Sequence, residues 1–384
     1  MDSHNGSSHL TRAIIHLDRL SHNMQLLQQQ VGDRPLWPAI KANAYGHGAE
    51  IVARHLVNLG YDTLCVAHAF EAAALLEAGI QATFIVLSAT LPEHAEAIVA
   101  HGCEPAICTM DMAEALARAA ETAGRCIPVH LMVDTGMGRI GIRPDEAAPF
   151  LDRCRPLSGL TVRGIMSHFP RADESDKGYS LEQIERFRLV LDMTRGYGIE
   201  VRHMANSAAI LDLPGSYFDA ARPGIAIYGL RPSSNMKNPI VRQLRPVLEW
   251  KSRITLLKEV PAGMGLSYGH AFHTKRDSLI ATVPVGYGDG LSRRLSGKMD
   301  MLVRGRRCRQ VGRITMDQSL VDVTRLHGEV EPGEEVVLIG RQGEQEITAE
   351  ELAGTLGTIN YEIVTAIAQR VSRVTFGSGV VRPA

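Results

Sequence analysis

Between residues 36 and 229 short apolar runs of β type alternate with stretches of helical periodicity. The runs fall at 36–41, 63–67, 83–88, 103–108, 128–134, 160–168, 201–207 and 218–229. Of the stretches between them, 110–123 is alanine-rich throughout. The stretch 181–197 sets Ile184, Phe187, Leu191 and Thr194 on one stripe, the spacing of an amphipathic helix. Strands alternating with helices make an α/β fold, and these strand-sized runs over this length predict a (β/α)8 TIM barrel. A doubly wound parallel sheet shares that periodicity, so both architectures stay open at this level.

After 231–235 the texture changes. Trp250, Ser252, Ile254 and Leu256 alternate with Lys251, Arg253 and Thr255, the period-two signature of a half-buried strand. Strand-like runs at 280–285, 301–303, 319–323 and 335–339 follow, punctuated by glycines. A helix opens at Thr348 with Glu351 as its capping-box partner. These patterns predict a barrel over 9–243 and a mainly β C-terminal domain over 244–384.

The 384 residues suffice for two full cores. With 41 basic and 42 acidic residues, the chain carries no electrostatic footprint for nucleic acid or an anionic membrane, and its apolar runs are too short to span a bilayer. Six cysteines without a CxxC pair point to reduced thiols in the cytoplasm. The polar start of the chain has no basic stretch leading into an apolar core, so no secretory signal is expected there.

The stretch richest in chemistry is 39–48, AIKANAYGHG, where an apolar run ends in Lys41 and breaks into a glycine-rich loop. In parallel α/β folds that edge is where chemistry collects. A desolvated lysine there has a lowered pKa and can attack a carbonyl to form a Schiff base. A lysine with its amine in water is the plainer alternative, since most lysines are exposed. Residues 134–141, DTGMGRIG, contain a GxGxxG, the spacing of a dinucleotide loop. Two residues oppose that reading: Asp134 would face a pyrophosphate with like charge, and Pro144 starts the next helix after the glycines rather than through them.

Ser167-His168 and Asn206-Ser207 end the sixth and seventh runs, positions where a histidine is more often structural than functional. His47, His168 and His203 lack metal-ligand spacing, and no metal is expected. In 222–229, RPGIAIYG, Gly224 and Ile225 can offer backbone N–H groups to a phosphate, or the segment is a surface turn. Tyr268 lies in a small-residue loop, 263–269, where packing is the plainest role.

These stretches, with 286–290 (GYGDG), Arg293, 312–318 (GRITMDQ) and 358–362 (TINYE), resemble in order the motifs of the alanine racemase family, fold-type III pyridoxal-phosphate enzymes. The resemblance implies that Lys41 carries pyridoxal 5'-phosphate, that Tyr45, Ser207, Gly224, Ile225 and Tyr361 hold its phosphate with Asn206 beside them, and that His168 packs against its ring. Arg139 would hold the phenolic oxygen and the substrate carboxylate with its planar fork of donors. Arg222 would face the pyridine nitrogen. An arginine keeps its proton, so the nitrogen stays a neutral acceptor and a carbanion is reprotonated at Cα, which favours racemisation over transamination. Tyr268 of the partner subunit would be the second base, because inverting a stereocentre needs a base on each face. Tyr287, Met316 and Asp317 would line the substrate. One position departs from the pattern: Met132 stands where many members carry a lysine whose carbamate braces the arginine, and a thioether forms no carbamate.

The resemblance therefore implies an isomerase that interconverts L- and D-alanine, a cytoplasmic homodimer with shared active sites that supplies D-alanine biosynthesis. Its partner would be a small-molecule amino acid, without nucleic-acid or membrane partners. Met132 keeps open a broad-specificity racemase acting on serine, lysine or arginine. A decarboxylase of the same fold conflicts with Arg222, since it needs an acidic residue opposite the ring nitrogen. A non-catalytic cofactor carrier conflicts with the second domain.

Overall fold

The computed structural model describes residues 10–377, so the expectation about the start of the chain falls, over 1–9, outside the described residues. The chain forms two units, one of 19–44 and 49–245, the other of 10–18, 45–48 and 246–377.

In the first unit six strands, Thr63–Val66, Thr83–Val86, Glu104–Ile107, Ile127–Met132, Leu160–Met166 and Val201–His203, pair in parallel and in sequence order. Three isolated bridges close the sheet. Ala39 bridges Cys65, His203 bridges Ala220, and Leu36 bridges Ala221, all parallel. Hydrogen bonds from Ile40 N to Cys65 O and from Trp37 N to Ala221 O, both 2.8 Å, complete the ring. A closed ring has no edge strands, which decides for the barrel against the doubly wound sheet. The first and eighth staves are held by single bridges because Pro35, Pro38 and Pro223 have no N–H to give a ladder.

The runs at 201–207 and 218–229 are shorter as strands than their apolarity predicts. After His203 the chain turns at Asn206, whose side chain accepts from Ala209 N at 3.1 Å and caps a helix over Ser207–Asp212. Ile225–Tyr228 is a single 3-10 turn closed by left-handed Gly229. The helix over Gly178–Met193 buries Ile184, Phe187 and Val190, so Val190 rather than Leu191 carries the inner stripe. Met110–Thr122 is helical as expected, and Leu17–Val31 forms a helix that no run predicted.

The second unit is built on a sheet in the order Ser372–Phe376, Arg12–His16, Leu248–Arg253, Glu335–Gln342, Asp300–Val303, Arg306–Val311, Ser319–Asp322, Ser278–Val283, Leu256–Val260. Arg12–His16 thus lies in this sheet, although the pattern of runs assigned everything from residue 9 to the barrel. Ile14 sits opposite Glu249 on one side and Val374 on the other, and buried Ala13 and Ile15 face its core. Such pairing spans more than 200 positions of chain and leaves no local trace. Thr348 caps the helix Ala349–Leu356 by accepting from Glu351 N at 3.1 Å. Glu351 does not complete the box; its carboxylate takes Arg307 instead, at 2.6 and 2.8 Å.

Candidate active site

Lys41 ends the first stave, and the backbone after it winds the wrong way. Ala42, Asn43, Ala44 and Tyr45 all hold φ between 51° and 54°, one turn of left-handed helix. Each such residue costs about 1–2 kcal/mol because Cβ approaches the following carbonyl. The cost is tolerable for alanine and asparagine, which is the local reason for the run of small residues. Three bonds tie the turn down. Ala42 N donates to Glu71 Oε1 at 2.7 Å, Ala49 N to Asn43 Oδ1 at 2.7 Å, and Ala44 N to Ile40 O at 2.8 Å. Glu71 Oε2 also accepts from Ala67 N and His68 N, so one carboxylate joins the Lys41 turn to the loop after the second stave.

The loops at the C-terminal ends of the staves bring Lys41, Arg139, His168 and Arg222 into mutual electrostatic reach. Burial, then the charge of Arg139 and, more weakly, that of Arg222, lowers the Lys41 pKa, while Cys65 and Glu71 oppose the shift. Burial pushes the Cys65 thiol up to about 12, so it stays protonated. Burial, followed by the charges of Arg222, Arg139 and Lys41, takes His168 down to about 3, a neutral imidazole at neutral pH. Arg222 is buried, which lowers it to about 10, and it keeps its charge. Arg222 Nη2 donates to Ser167 O at 2.7 Å, and Nη1 donates to His203 Nδ1.

Ser207 Oγ accepts from Gly224 N at 2.8 Å and Ala226 N at 3.2 Å. The N-terminus of the Ser207–Asp212 turn and the Gly224–Ala226 backbone thus converge, with Ile225 buried between them and Asn206 occupied as the cap. The sequence reading named Gly224 and Ile225 here and missed Ala226.

The DTGMG loop has its own anion. Asp134 Oδ1 accepts from Gly136 N, Met137 N and Gly138 N at 2.9, 2.7 and 3.1 Å, and Oδ2 from Gly138 N at 2.8 Å. The N–H groups that a dinucleotide would need are therefore spent on a carboxylate, which closes the GxGxxG alternative and leaves exposed Arg139 at the loop's far end. Met132 lies in an apolar layer with Ala106 and Met166, against which Leu87, Cys108 and Ile140 pack.

A second group of expected residues gathers within the β unit. Tyr268 is 72% exposed and stands between two left-handed residues, Ser267 and Gly269. Ser267 Oγ donates to Arg313 O at 2.7 Å, fastening the tyrosine loop to 312–318. Tyr287 N donates to Thr315 O at 3.0 Å and Gly288 N to Met316 O at 2.8 Å, so Tyr287 and Met316 lie on abutting loops, both exposed. Asp317 and Asp289 share Arg370 at 2.9 and 2.8 Å, which commits the Asp317 carboxylate to an ion pair. The Tyr45 and Tyr361 rings lie 6.1 Å apart. Sequence reasoning missed Glu71, Glu104 and His130, and assigned no role to His203. Glu104, His130 and His203 are polar residues that fell to the inside, and Glu71 is half-buried against the backbone of two loops, which only a placed neighbour reveals.

Among the described residues no helix is long and apolar enough to cross a membrane, and no three His, Cys, Asp or Glu side chains are grouped to hold a metal. All six cysteines are free.

Residues 15–232 match the family model described as alanine racemase, N-terminal domain, and 247–375 that of the alanine racemase C-terminal domain. An alanine racemase of Halothermothrix orenii is 44% identical over 366 residues, 94% of this chain and 96% of that one. An alanine racemase of Desulfovibrio desulfuricans is 42% identical over 365 residues, 94% and 97% of the two chains. Among solved structures, an alanine racemase of Clostridium difficile 630 superposes with a TM-score of 0.92 at 35% identity over 97% of both chains. That of Bacillus anthracis with bound L-Ala-P gives 0.91 at 35% identity, again over 97% of each.

Proposed function

The chain belongs to the alanine racemase family, and from that premise we propose that it interconverts L- and D-alanine as a cytoplasmic homodimer with pyridoxal phosphate as cofactor. The observation that carries this reading is the Lys41 amine, desolvated at a strand end beside Arg139 and Arg222. The residues fit such a group. Ser207, Gly224 and Ile225, with Tyr45 and Tyr361, would hold the phosphate, and the hydroxyl and backbone that would do so already meet at Ser207 Oγ, which accepts from Gly224 N and Ala226 N. Arg222 would face the ring nitrogen, His168 the ring, and Lys41 the aldehyde. Pyridoxal phosphate, when bound, supplies an electron sink that makes the Cα proton of an amino acid removable.

The chain's own residues do the rest. Arg139 orients the substrate carboxylate, with no carbamate to brace it because Met132 is a thioether. Tyr268 Oη of the partner subunit takes the proton from the L face, and Lys41 Nζ returns one to the D face; the reverse direction exchanges the roles. Burial, then the charge of Arg139, lowers the Lys41 pKa, which favours its neutral amine. Tyr287, Met316 and Asp317 line the approach, Asp317 through its pair with Arg370. Exposure of Tyr268 supports its reaching another subunit.

The test is the absorbance of the purified protein before and after borohydride, with mapping of the reduced lysine and a chiral assay of alanine beside serine, lysine and arginine. Reduction at Lys41 and turnover of alanine are expected. In Tyr268→Phe, L-to-D turnover should fall by about 100-fold or more while the absorbance survives. Reduction at another lysine, or full turnover by the variant, would refute the assignment.

A further inference from the structure

Arg222 has a support that no motif pointed to. His203 Nδ1 takes its Nη1, His203 Nε2 lies 2.9 Å from His130 Nδ1, and His130 Nε2 lies 2.9 Å from Glu104 Oε2. Both imidazoles are 0% exposed. At the far end Arg163 Nη1 donates to both Glu104 oxygens, at 2.6 and 2.8 Å. Trp37 packs edge-on against both rings, with centroids 4.9 Å from His203 and 6.0 Å from His130. A Cβ on Gly164 would fall 2.0 Å from His130 Nδ1, so that ring has no room to turn.

The end groups decide where the hydrogens sit. A guanidinium only donates, so His203 Nδ1 accepts; a carboxylate only accepts, so His130 Nε2 donates. With one hydrogen per neutral ring, His203 then donates from Nε2 to His130 Nδ1, and every link is satisfied in one direction. An added proton on either ring would set N–H against N–H. Burial, then Arg222, accordingly holds His203 well below its ordinary pKa, and burial lowers His130. One competing arrangement shifts a hydrogen along each link toward Glu104, which would neutralise Arg222 and Glu104 together. Arg163 opposes it: burial would raise Glu104, yet the bonds from His130 and Arg163 bring it below its ordinary value.

We infer that Glu104 is a positioning residue for Arg222: anchored by Arg163, its carboxylate imposes the Nε2–H tautomer on His130 and through it on His203, fixing the guanidinium in orientation and charge. The inference deepens the proposed function and rests on it where Arg222 meets the cofactor. Staves four to seven contribute Glu104, His130, Arg163 and His203 in turn, and Arg222 comes from the eighth. A relay of this kind acts at a distance, because neither Glu104 nor His130 needs to touch substrate.

The test uses the holoenzyme with 15N-labelled histidine, read by long-range 15N–1H NMR, with His130 and His203 assigned by single substitution. Both rings should remain neutral Nε2–H tautomers between about pH 5.5 and 8.5, the range in which an ordinary histidine changes charge. In Glu104→Gln the carboxamide offers a donor as well as an acceptor, so the tautomer is no longer imposed. The His203 pattern should become mixed or reversed, and kcat for alanine should fall about 10- to 100-fold, by analogy with the loss when the outer partner of a metal-bound imidazole is removed. KM should change by less than about threefold. An Nδ1–H tautomer or an imidazolium at wild-type His203 overturns the inference, as does Glu104→Gln with wild-type spectra and kcat. Should that variant not fold, the wild-type spectra decide. A wild type that racemises no alanine would sink the proposed function and leave the histidine spectra as the test of the relay.

Discussion

Replacing Glu71 by Gln tests what holds the Lys41 turn. The carboxylate accepts from Ala42 N with one oxygen and from Ala67 N and His68 N with the other. A carboxamide has one oxygen and one NH2, so in either orientation a donor meets a donor. The loss is at least one charge-assisted bond, about 1.5–3 kcal/mol. It falls on a turn whose four left-handed residues, 42–45, already store roughly 4–8 kcal/mol. A local loss of about 2 kcal/mol corresponds to roughly 30-fold in the opening equilibrium. Native-state hydrogen exchange of the 36–48 segment should therefore speed up about 30-fold at Ala42 and Ala44, while amides of the β unit keep their rates. Loss of the nearby anion should also lower the Lys41 pKa further, since Glu71 raises it. Reductive methylation of that amine would shift to lower pH. Exchange at Ala42 within about threefold of wild type would refute the view that this carboxylate holds the turn.

Two further outcomes follow from the β unit. Burial would raise Glu249, but His16 and Lys251 bring it from 4.5 down to about 2. A depressed carboxylate contributes stability above its unfolded pKa that is lost as pH falls through the folded one. Stability should thus drop by on the order of 3 kcal/mol between about pH 4.5 and 2 through this group alone, and denaturant titrations should find that slope reduced in Glu249→Gln. Gly46 holds φ at +82°, and a Cβ there would lie 2.0 Å from Val364 O. Gly46→Ala should cost about 2–5 kcal/mol, a left-handed Cβ plus overpacking against fixed backbone. Thermal unfolding checks it, and a melting temperature equal to wild type would count against the clash.

What acts locally was legible along the chain. Runs of the right length announced most barrel strands, and a lysine followed by small residues announced a turn with chemistry, because strand pleat, helix period and turn preference are written in neighbouring residues. Asp134, Pro144 and Thr348 likewise declared their loop and caps within a few positions. The motifs could also be named by resemblance, since each is a contiguous stretch.

Other features needed the chain to be folded. Residues 12–16 look like any short apolar run, and only their pairing with 248–251 and 372–376 takes them out of the barrel. The run 225–228 is apolar enough for a strand, yet it turns to meet Ser207. The left-handed sense of 42–45 depends on Glu71, which arrives from the next βα loop. Glu104, His130, His203 and Arg222 are scattered over more than a hundred positions and become a directed chain only when the barrel closes around them. Periodicity records which side of its own element a residue takes, but not which residue meets it from across the ring; that is decided by closure, register and the exclusion of water.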